Sequence, residues 1–211
     1  MTHGICGLNL IPLREAGKHD APLVSEVLYG ELFQVVTAQK NWSKVRLADH
    51  AEGWLDNSQF IGISTQEYAD LTKKDTKTAT DLVEFVLENN TILFPIAVGS
   101  SIQNCAFLGH TFEGATTSLI IQKEKIPQTA FIFLNTPFKQ GGKSPFGIDA
   151  SGFTQIVYKL CGVLLPRTAA TQSTLGEVLS FIEESEAGDL AFFDDQEGNI
   201  NHVGIILENN H

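Results

Sequence analysis

Gly147-Ile148-Asp149-Ala150-Ser151-Gly152-Phe153 opens a run whose apolar residues, Phe153, Ile156, Val157, Leu160 and Cys161, recur at i, i+3, i+4, i+7 and i+8. That spacing predicts a helix with one buried face, and Gly162 supplies its stop. Asp149 is placed to cap the helix, so Ala150 begins the first turn. A cysteine there would face the positive end of the helix dipole, which favours thiolate over thiol and makes a nucleophile at neutral pH. Alanine has good helix propensity and no such chemistry. Taken alone, the stripe is also what an ordinary capped and buried helix would show.

Further on, the acidic turn Asp194-Asp195-Gln196-Glu197-Gly198-Asn199 leads into Ile200 to Leu207, which reads as a strand. Regular alternation would put Ile200, His202, Gly204 and Ile206 on one face. His202 would then stand next to a residue with no side chain, leaving room for a substrate backbone. A strand histidine is either a structural residue or a proton acceptor in catalysis.

The opening segment and its helix, with Leu165-Pro166-Arg167, Gly188-Asp189-Leu190 and Asn201-His202-Val203-Gly204-Ile205, resemble the NlpC family of papain-like bacterial cell-wall cysteine peptidases. The resemblance implies an α+β fold, with a nucleophile-bearing helix packed on an antiparallel sheet. It implies that Ala150 occupies the nucleophile position and that His202 is the base that would take the thiol proton of a cysteine there. It also implies substrate contacts from Phe138, Asp149, Ser151, Gly152, Arg167 and Thr168.

Family members usually carry a tyrosine where Phe138 stands and an aromatic residue where Gln140 stands; phenylalanine cannot make the tyrosine hydroxyl's hydrogen bond. Gly141 and Gly142 fit a tight turn beside the substrate path. Arg167 is either a carboxylate partner or a surface residue. Thr168 stands where relatives that grip a free peptide amine often have aspartate. The family's residue that orients the histidine lies beyond the last residue, His211, which follows the turn signal Asn209-Asn210 and reads as the start of a further strand. A domain of this type needs more strands to cover its sheet, so the peptidase-like part is expected to be C-terminally incomplete or to pair its edge with another chain.

The first part of the chain is rich in short alternating segments: Leu23 to Tyr29, Leu32 to Thr37, Trp42 to Ala48 and Gly53 to Leu55. They are broken by Gly30 and by turns at 39–41 and 49–53, and strands at this spacing imply a small barrel. Val24 to Glu31, Trp42 to Leu47 and Glu52 to Leu55 resemble a bacterial SH3 domain. Trp42 and Trp54 are either barrel core or part of a ligand-facing wall. Tyr29 and Glu31, at the strand junction around Gly30, are the residues expected on the cleft side, with barrel core as the other reading of Tyr29. The barrel is expected to pack against the peptidase-like domain and narrow its cleft.

Three domains are therefore expected, at 1–62, 63–125 and 126–211. In the middle one, Thr72 to Thr78 reads as a connection or helix start, Val83, Val86 and Leu87 as one face of a short helix ending at Asn89-Asn90, and Thr91 to Gln122 as strand-like runs. A second SH3-like barrel is the expectation carried over from related peptidases. From Ile126, the residues Ala130, Ile132, Phe133 and Leu134 suggest a helix leading to Pro137.

The 211 residues are 43% hydrophobic and 18% charged, with 14 basic against 25 acidic residues and a net charge of −11. Such a balance argues against nucleic-acid binding, which needs a basic face. Cys6, Cys105 and Cys161 form no metal-ligand spacing, and no cofactor is implied. Cys161 reads as core; a disulfide between the other two is left open, and a reduced compartment is the simpler reading. No segment approaches a membrane span or a signal peptide, so the expected location is cytoplasmic. Two functions remain. One is a cysteine endopeptidase acting on cell-wall peptides of the L-Ala-γ-D-Glu-diamino acid type, inactive as written. The other is a pseudoenzyme that binds such peptides, or a protein partner, without hydrolysis.

Overall fold

A computed structural model of the chain describes residues 2–89 and 91–208; Asn209, Asn210 and His211, which the sequence places at the start of a further strand, lie outside the described residues. Seven strands come first: β1 (His3–Ile5), β2 (Leu10–Arg14), β3 (Leu23–Leu28), β4 (Leu32–Ala38), β5 (Trp42–Leu47), β6 (Glu52–Asp56) and β7 (Ile61–Ile63). They form an antiparallel sheet in the order β3-β2-β6-β5-β4-β1-β7. Alternation sends Ile11, Leu13, Val27, Phe33, Val45 and Leu55 to one apolar core.

The four segments predicted from the sequence are β3 to β6. Strands β1, β2 and β7 were not predicted, because runs of three to five residues carry too little alternation to stand out. Trp42 and Trp54 are not part of the buried barrel core. Both are half-buried and cover the β2–β3 connection, where a Cβ on Gly17 would lie 3.1 Å from Trp42 and 3.4 Å from Trp54.

A helix, α1 (Thr65–Thr72), follows, started by a reciprocal cap between Ser64 and Glu67. Then come β8 (Thr78–Ala79), β9 (Val83–Glu88), β10 (Ile92–Ala97), β11 (His110–Thr111) and β12 (Thr116–Thr117). The helix expected at Val83 to Leu87 is a strand. Apolar residues at 83, 86 and 87 fit a helix face, but β9 pairs along its whole length with β10, from Val83 opposite Ala97 to Glu88 opposite Ile92. Asn89, with φ 50°, makes the left-handed turn that reverses the chain, and hairpin pairing overrides the local pattern.

The last part contains α2 (Ile126–Phe131), the short hairpin β13 (Lys143–Ser144) and β14 (Gly147–Ile148), α3 (Ala150–Leu160), α4 (Ala169–Gln172), and the pair β15 (Leu190–Asp194) and β16 (Ile200–Ile205). Helix α2 stops at Phe131, short of the predicted Leu134. Helix α3 carries the apolar stripe read from the sequence. Ile156, Val157, Leu160 and Cys161 join Leu28 of β3, Val98 of the middle part, and Ile126 and Phe133 in one buried cluster. All three parts of the chain thus meet on α3. Each fully buried aliphatic side chain there contributes about 1.5–3 kcal/mol.

Two polar residues on α3 are buried as well, and each has a partner on another segment. Thr154 donates to Gln172 at 2.7 Å, and Gln155 donates to Asp49 of the β5–β6 turn at 2.9 Å and to the Leu165 carbonyl at 3.0 Å.

Candidate active site

Asp149 caps α3 as the sequence predicts: its Oδ1 accepts from the Gly152 N–H at 2.7 Å. Its other oxygen accepts from the Gly141 N–H at 2.8 Å, so one carboxylate ties the glycine turn to the helix start. Arg167 completes the arrangement, with Nη1 at 2.9 Å and Nη2 at 2.8 Å from the two carboxylate oxygens. Burial by itself would raise the Asp149 pKa. The hydrogen bonds and charge of Arg167, with the two backbone donors, outweigh it and hold the carboxyl below its ordinary value.

The question left open for Arg167 is thereby answered: it is a buried carboxylate partner. Its Nε also donates to Ser25 of β3 at 3.0 Å, and Nη1 donates to Ser151 Oγ at 3.0 Å. Asp149 and Arg167, both expected to touch substrate, satisfy each other's charge. Gly152 also serves packing, since a Cβ there would collide with the Gly142 carbonyl oxygen.

Ala150 occupies the first position of α3 and is partly exposed. Ser151 beside it is committed to Asp149 and Arg167. Cys161 is buried at the far end of the helix, and burial raises its pKa.

Helix α3 packs on β16, the strand that carries His202. The alternation expected along that strand is broken by a bulge: Asp194 pairs with Ile200, and the next residue, Phe193, pairs with His202. Ile200 is thereby moved off the histidine's face and goes with Val203 and Ile205. Val203 is buried and Ile205 packs into the α3 cluster. His202 and Gly204 lie on the opposite face, where the imidazole meets the Phe193 ring at 5.7 Å and a Cβ on Gly204 would meet nothing within 4 Å.

Tyr29 requires correction as a cleft residue. Tyr29 is fully buried in the core of the middle part, its hydroxyl 2.8 Å from His110 Nδ1 and 3.3 Å from Cys105 Sγ. Alternation could not decide this, because the face of β3 that leaves the first sheet's core is itself covered by the next segment. Glu31 faces two lysines of the last part, Lys159 at 2.9 Å and Lys143 at 3.2 Å. Burial would raise its pKa; the two ammonium groups and the Leu28 N–H outweigh burial and lower it to about 2.

Away from Leu28, the seam between first sheet and last part is rich in polar contacts. The fully buried Glu26 accepts from Lys139 Nζ at 2.6 Å and from the Lys143 N–H at 3.0 Å. Lys159 also donates to the Gly99 carbonyl at 2.7 Å. None of Glu26, Lys139, Lys143, Lys159, Asp49 or Gln155 was singled out from the sequence.

Beside this seam lies a cavity of about 630 Å³, walled by the Asp49–Glu52 turn, by Gln140, Asp149 and Ser151, by residues 166–171, and by Ile200 and Asn201. Thr168 lines it and caps α4, accepting from the Thr171 N–H at 3.2 Å. Phe138 is not among the residues lining it and is largely exposed.

Residues 135–211 match the NlpC/P60 family. The chain carries an NlpC/P60 domain. Ahead of it, residues 13–60 match the bacterial dipeptidyl-peptidase Sh3 domain. The chain is 28% identical to dipeptidyl-peptidase 6 of Lysinibacillus sphaericus, over 89% of this chain and 78% of that protein. It is also 28% identical to a gamma-D-glutamyl-L-lysine dipeptidyl-peptidase of Bacillus subtilis, over 89% and 70% of the two chains. A crystal structure of an NlpC/P60 family protein from Bacillus cereus superposes with a TM-score of 0.81, covering 98% of this chain and 88% of that one at 20% identity, which establishes the shared fold. No described helix of this SH3–NlpC/P60 chain is long and apolar enough to cross a membrane.

Proposed function

We propose that this chain binds cell-wall stem peptides of the L-Ala-γ-D-Glu-diamino acid type in the cavity between its SH3 and NlpC/P60 domains, and does not hydrolyse them. The observation that carries the reading is Ala150 at the start of a fully capped helix. Covalent acyl transfer needs a nucleophile at that helix start. The neighbouring Ser151 is held by Asp149 and Arg167, and Cys161 is buried at the helix end.

The cap, the glycine turn and the Arg167 clamp at the helix start are in place, while His202 lies exposed on the face of β16 opposite Val203 and Ile205 and does not line the cavity. The intact helix start supports a cleft maintained for binding. Two relatives carry dipeptidyl-peptidase names, one of them specifying a γ-D-glutamyl-L-lysine bond, which supports the peptide class. Three buried, unpaired thiols support a reducing, cytoplasmic location.

Calorimetric titration with L-Ala-γ-D-Glu-L-Lys, followed by chromatography of the same mixture, tests the reading. Saturable binding with the peptide recovered intact is the expected result. Release of a dipeptide by the unaltered chain refutes the absence of hydrolysis, and a flat titration refutes the binding role.

A further inference from the structure

A second cavity, of about 490 Å³, lies between the first sheet and the middle part and shares no lining residue with the one beside α3. Strand register explains one wall. Val86 and Glu88 leave β9 on the same face, and Val86 is buried with Tyr29 and Ile96. Phe94 of β10 stands opposite Val86, and His110 of β11 stands opposite Glu88, so all four side chains share that face. Glu88 thus puts a carboxylate at the end of an inward-facing row. The first sheet supplies Leu8, Phe60 and Ile61, and Leu108 joins them.

These walls hold a negative charge and no positive one to match it. Glu88 is half-buried and forms no ion pair among the described residues. Asn9 Oδ1 is buried on the same walls with no hydrogen-bond partner among them. His110 supplies no compensating charge: burial lowers its pKa, which leaves the imidazole neutral at pH 7, and its Nδ1 is engaged by the Tyr29 hydroxyl. No lysine or arginine lines the cavity.

An anion entering this cavity meets Glu88 with no cation beside it. An uncharged apolar molecule strips water from the carboxylate and returns no partner. A primary ammonium on an apolar body does neither: it pairs with the carboxylate, brings further N–H donors to walls rich in acceptors, and suits aromatic rings such as Phe60 and Phe94, whose faces attract cations. We propose that the second cavity binds a small primary amine with an aromatic or branched aliphatic body, its ammonium on Glu88 and its body against Leu8, Phe60, Ile61 and Phe94. The site is independent of the peptide reading given for the cavity beside α3.

The test titrates the isotope-labelled full chain with phenethylamine, phenethyl alcohol and hydrocinnamate, follows the backbone amide shifts, and repeats the series on E88Q and L8K. The amine is expected to bind saturably, with shifts centred on Leu8, Ile61, Glu88 and His110, and the alcohol and the acid to bind about tenfold more weakly or worse. E88Q should weaken the amine by about tenfold and leave the alcohol unchanged. L8K sets a cation on the exposed rim and should weaken the amine as well. Equal affinity for amine and alcohol overturns the ammonium class, and undiminished amine binding in both variants overturns Glu88 as its partner. Shifts confined to residues 166–171 overturn the placement, because those residues wall the other cavity. The absence of saturable amine binding overturns the proposal outright.

Discussion

Arg167 and Asp149 face each other fork to fork, 2.9 and 2.8 Å apart at their two contacts, immediately before the position where the family's chemistry would begin. The pair is buried, and Arg167 reaches past it to Ser25 of the SH3 domain. The start of α3 is therefore held from two other segments of the chain, and its geometry depends on the docking of the domains.

Removing Arg167 should be costly. R167M leaves the Asp149 carboxylate buried with only its N–H and hydroxyl donors, and a loss of about 3–5 kcal/mol is expected in urea unfolding. The double variant D149N/R167M should recover part of that loss. A change under about 1 kcal/mol in the single variant would show that the pair is peripheral.

Acid should loosen the seam within a defined window. Glu31 is lowered from 4.5 to about 2 in the folded chain. A lowered carboxyl stabilises fully above its unfolded pKa and loses that contribution as pH falls toward its folded one. The urea midpoint should therefore drop between about pH 4.5 and about pH 2. E31Q should be less stable at neutral pH, because Lys143 and Lys159 lose their counter-charge, and should show a shallower drop. A pH dependence identical in the two chains would contradict the assignment.

Thiol chemistry distinguishes position 150 from the natural cysteines. Cys6, Cys105 and Cys161 are buried, and burial raises all three pKa values. The native chain should resist iodoacetamide near neutral pH, while A150C should take up one equivalent. Mass spectrometry reads both. Rapid labelling of the unaltered chain would mean that one of the three thiols is open.

Gly30 tests the join between SH3 domain and middle part. Its φ of 73° disfavours any other residue, and a Cβ would run into the Ser101 carbonyl oxygen. G30A should lose more than the roughly 1 kcal/mol of an ordinary glycine replacement, read from the thermal midpoint. An unchanged midpoint would show that the join gives way freely.

Without the SH3 domain, the rest of the chain should not fold. Lys139, Lys143, Lys159, Gln155 and Arg167 have their partners at Glu26, Glu31, Asp49 and Ser25. A chain starting at residue 63 would leave these groups unmatched over an opened core. Circular dichroism should show loss of native structure, and a cooperative unfolding transition in that fragment would refute the expectation.

Helix α3, its cap and the strand character of the first domain were legible in the sequence because short-range spacing encodes them. Residues 153, 156, 157, 160 and 161 repeat with the helix, and Asp149 lies three residues before the N–H it accepts. The β9 strand was misread because three apolar positions satisfy a helix, while the decisive partner, β10, is recognised only once the turn at Asn89 is known. The β16 bulge is one extra residue, invisible to a period of two, yet it moves Ile200 to the other face from His202. Glu31 and Tyr29 were expected in the cleft because sequence shows a charge and an aromatic ring beside a glycine. It does not show lysines more than a hundred positions away, or a histidine arriving from β11.

The contacts from Glu26, Glu31 and Ser25 to the last domain span 113, 128 and 142 positions. A ribosome adding about 5–20 residues per second leaves those groups waiting on the order of ten seconds for partners that have not yet been made. During that interval the carboxylates stay hydrated and Leu28 has no helix to sit under. The SH3 strands can pair early, but their outer surface reaches its final packing only after the last third of the chain has emerged. Synthesis order thus makes the seam form only after the SH3 strands have been made.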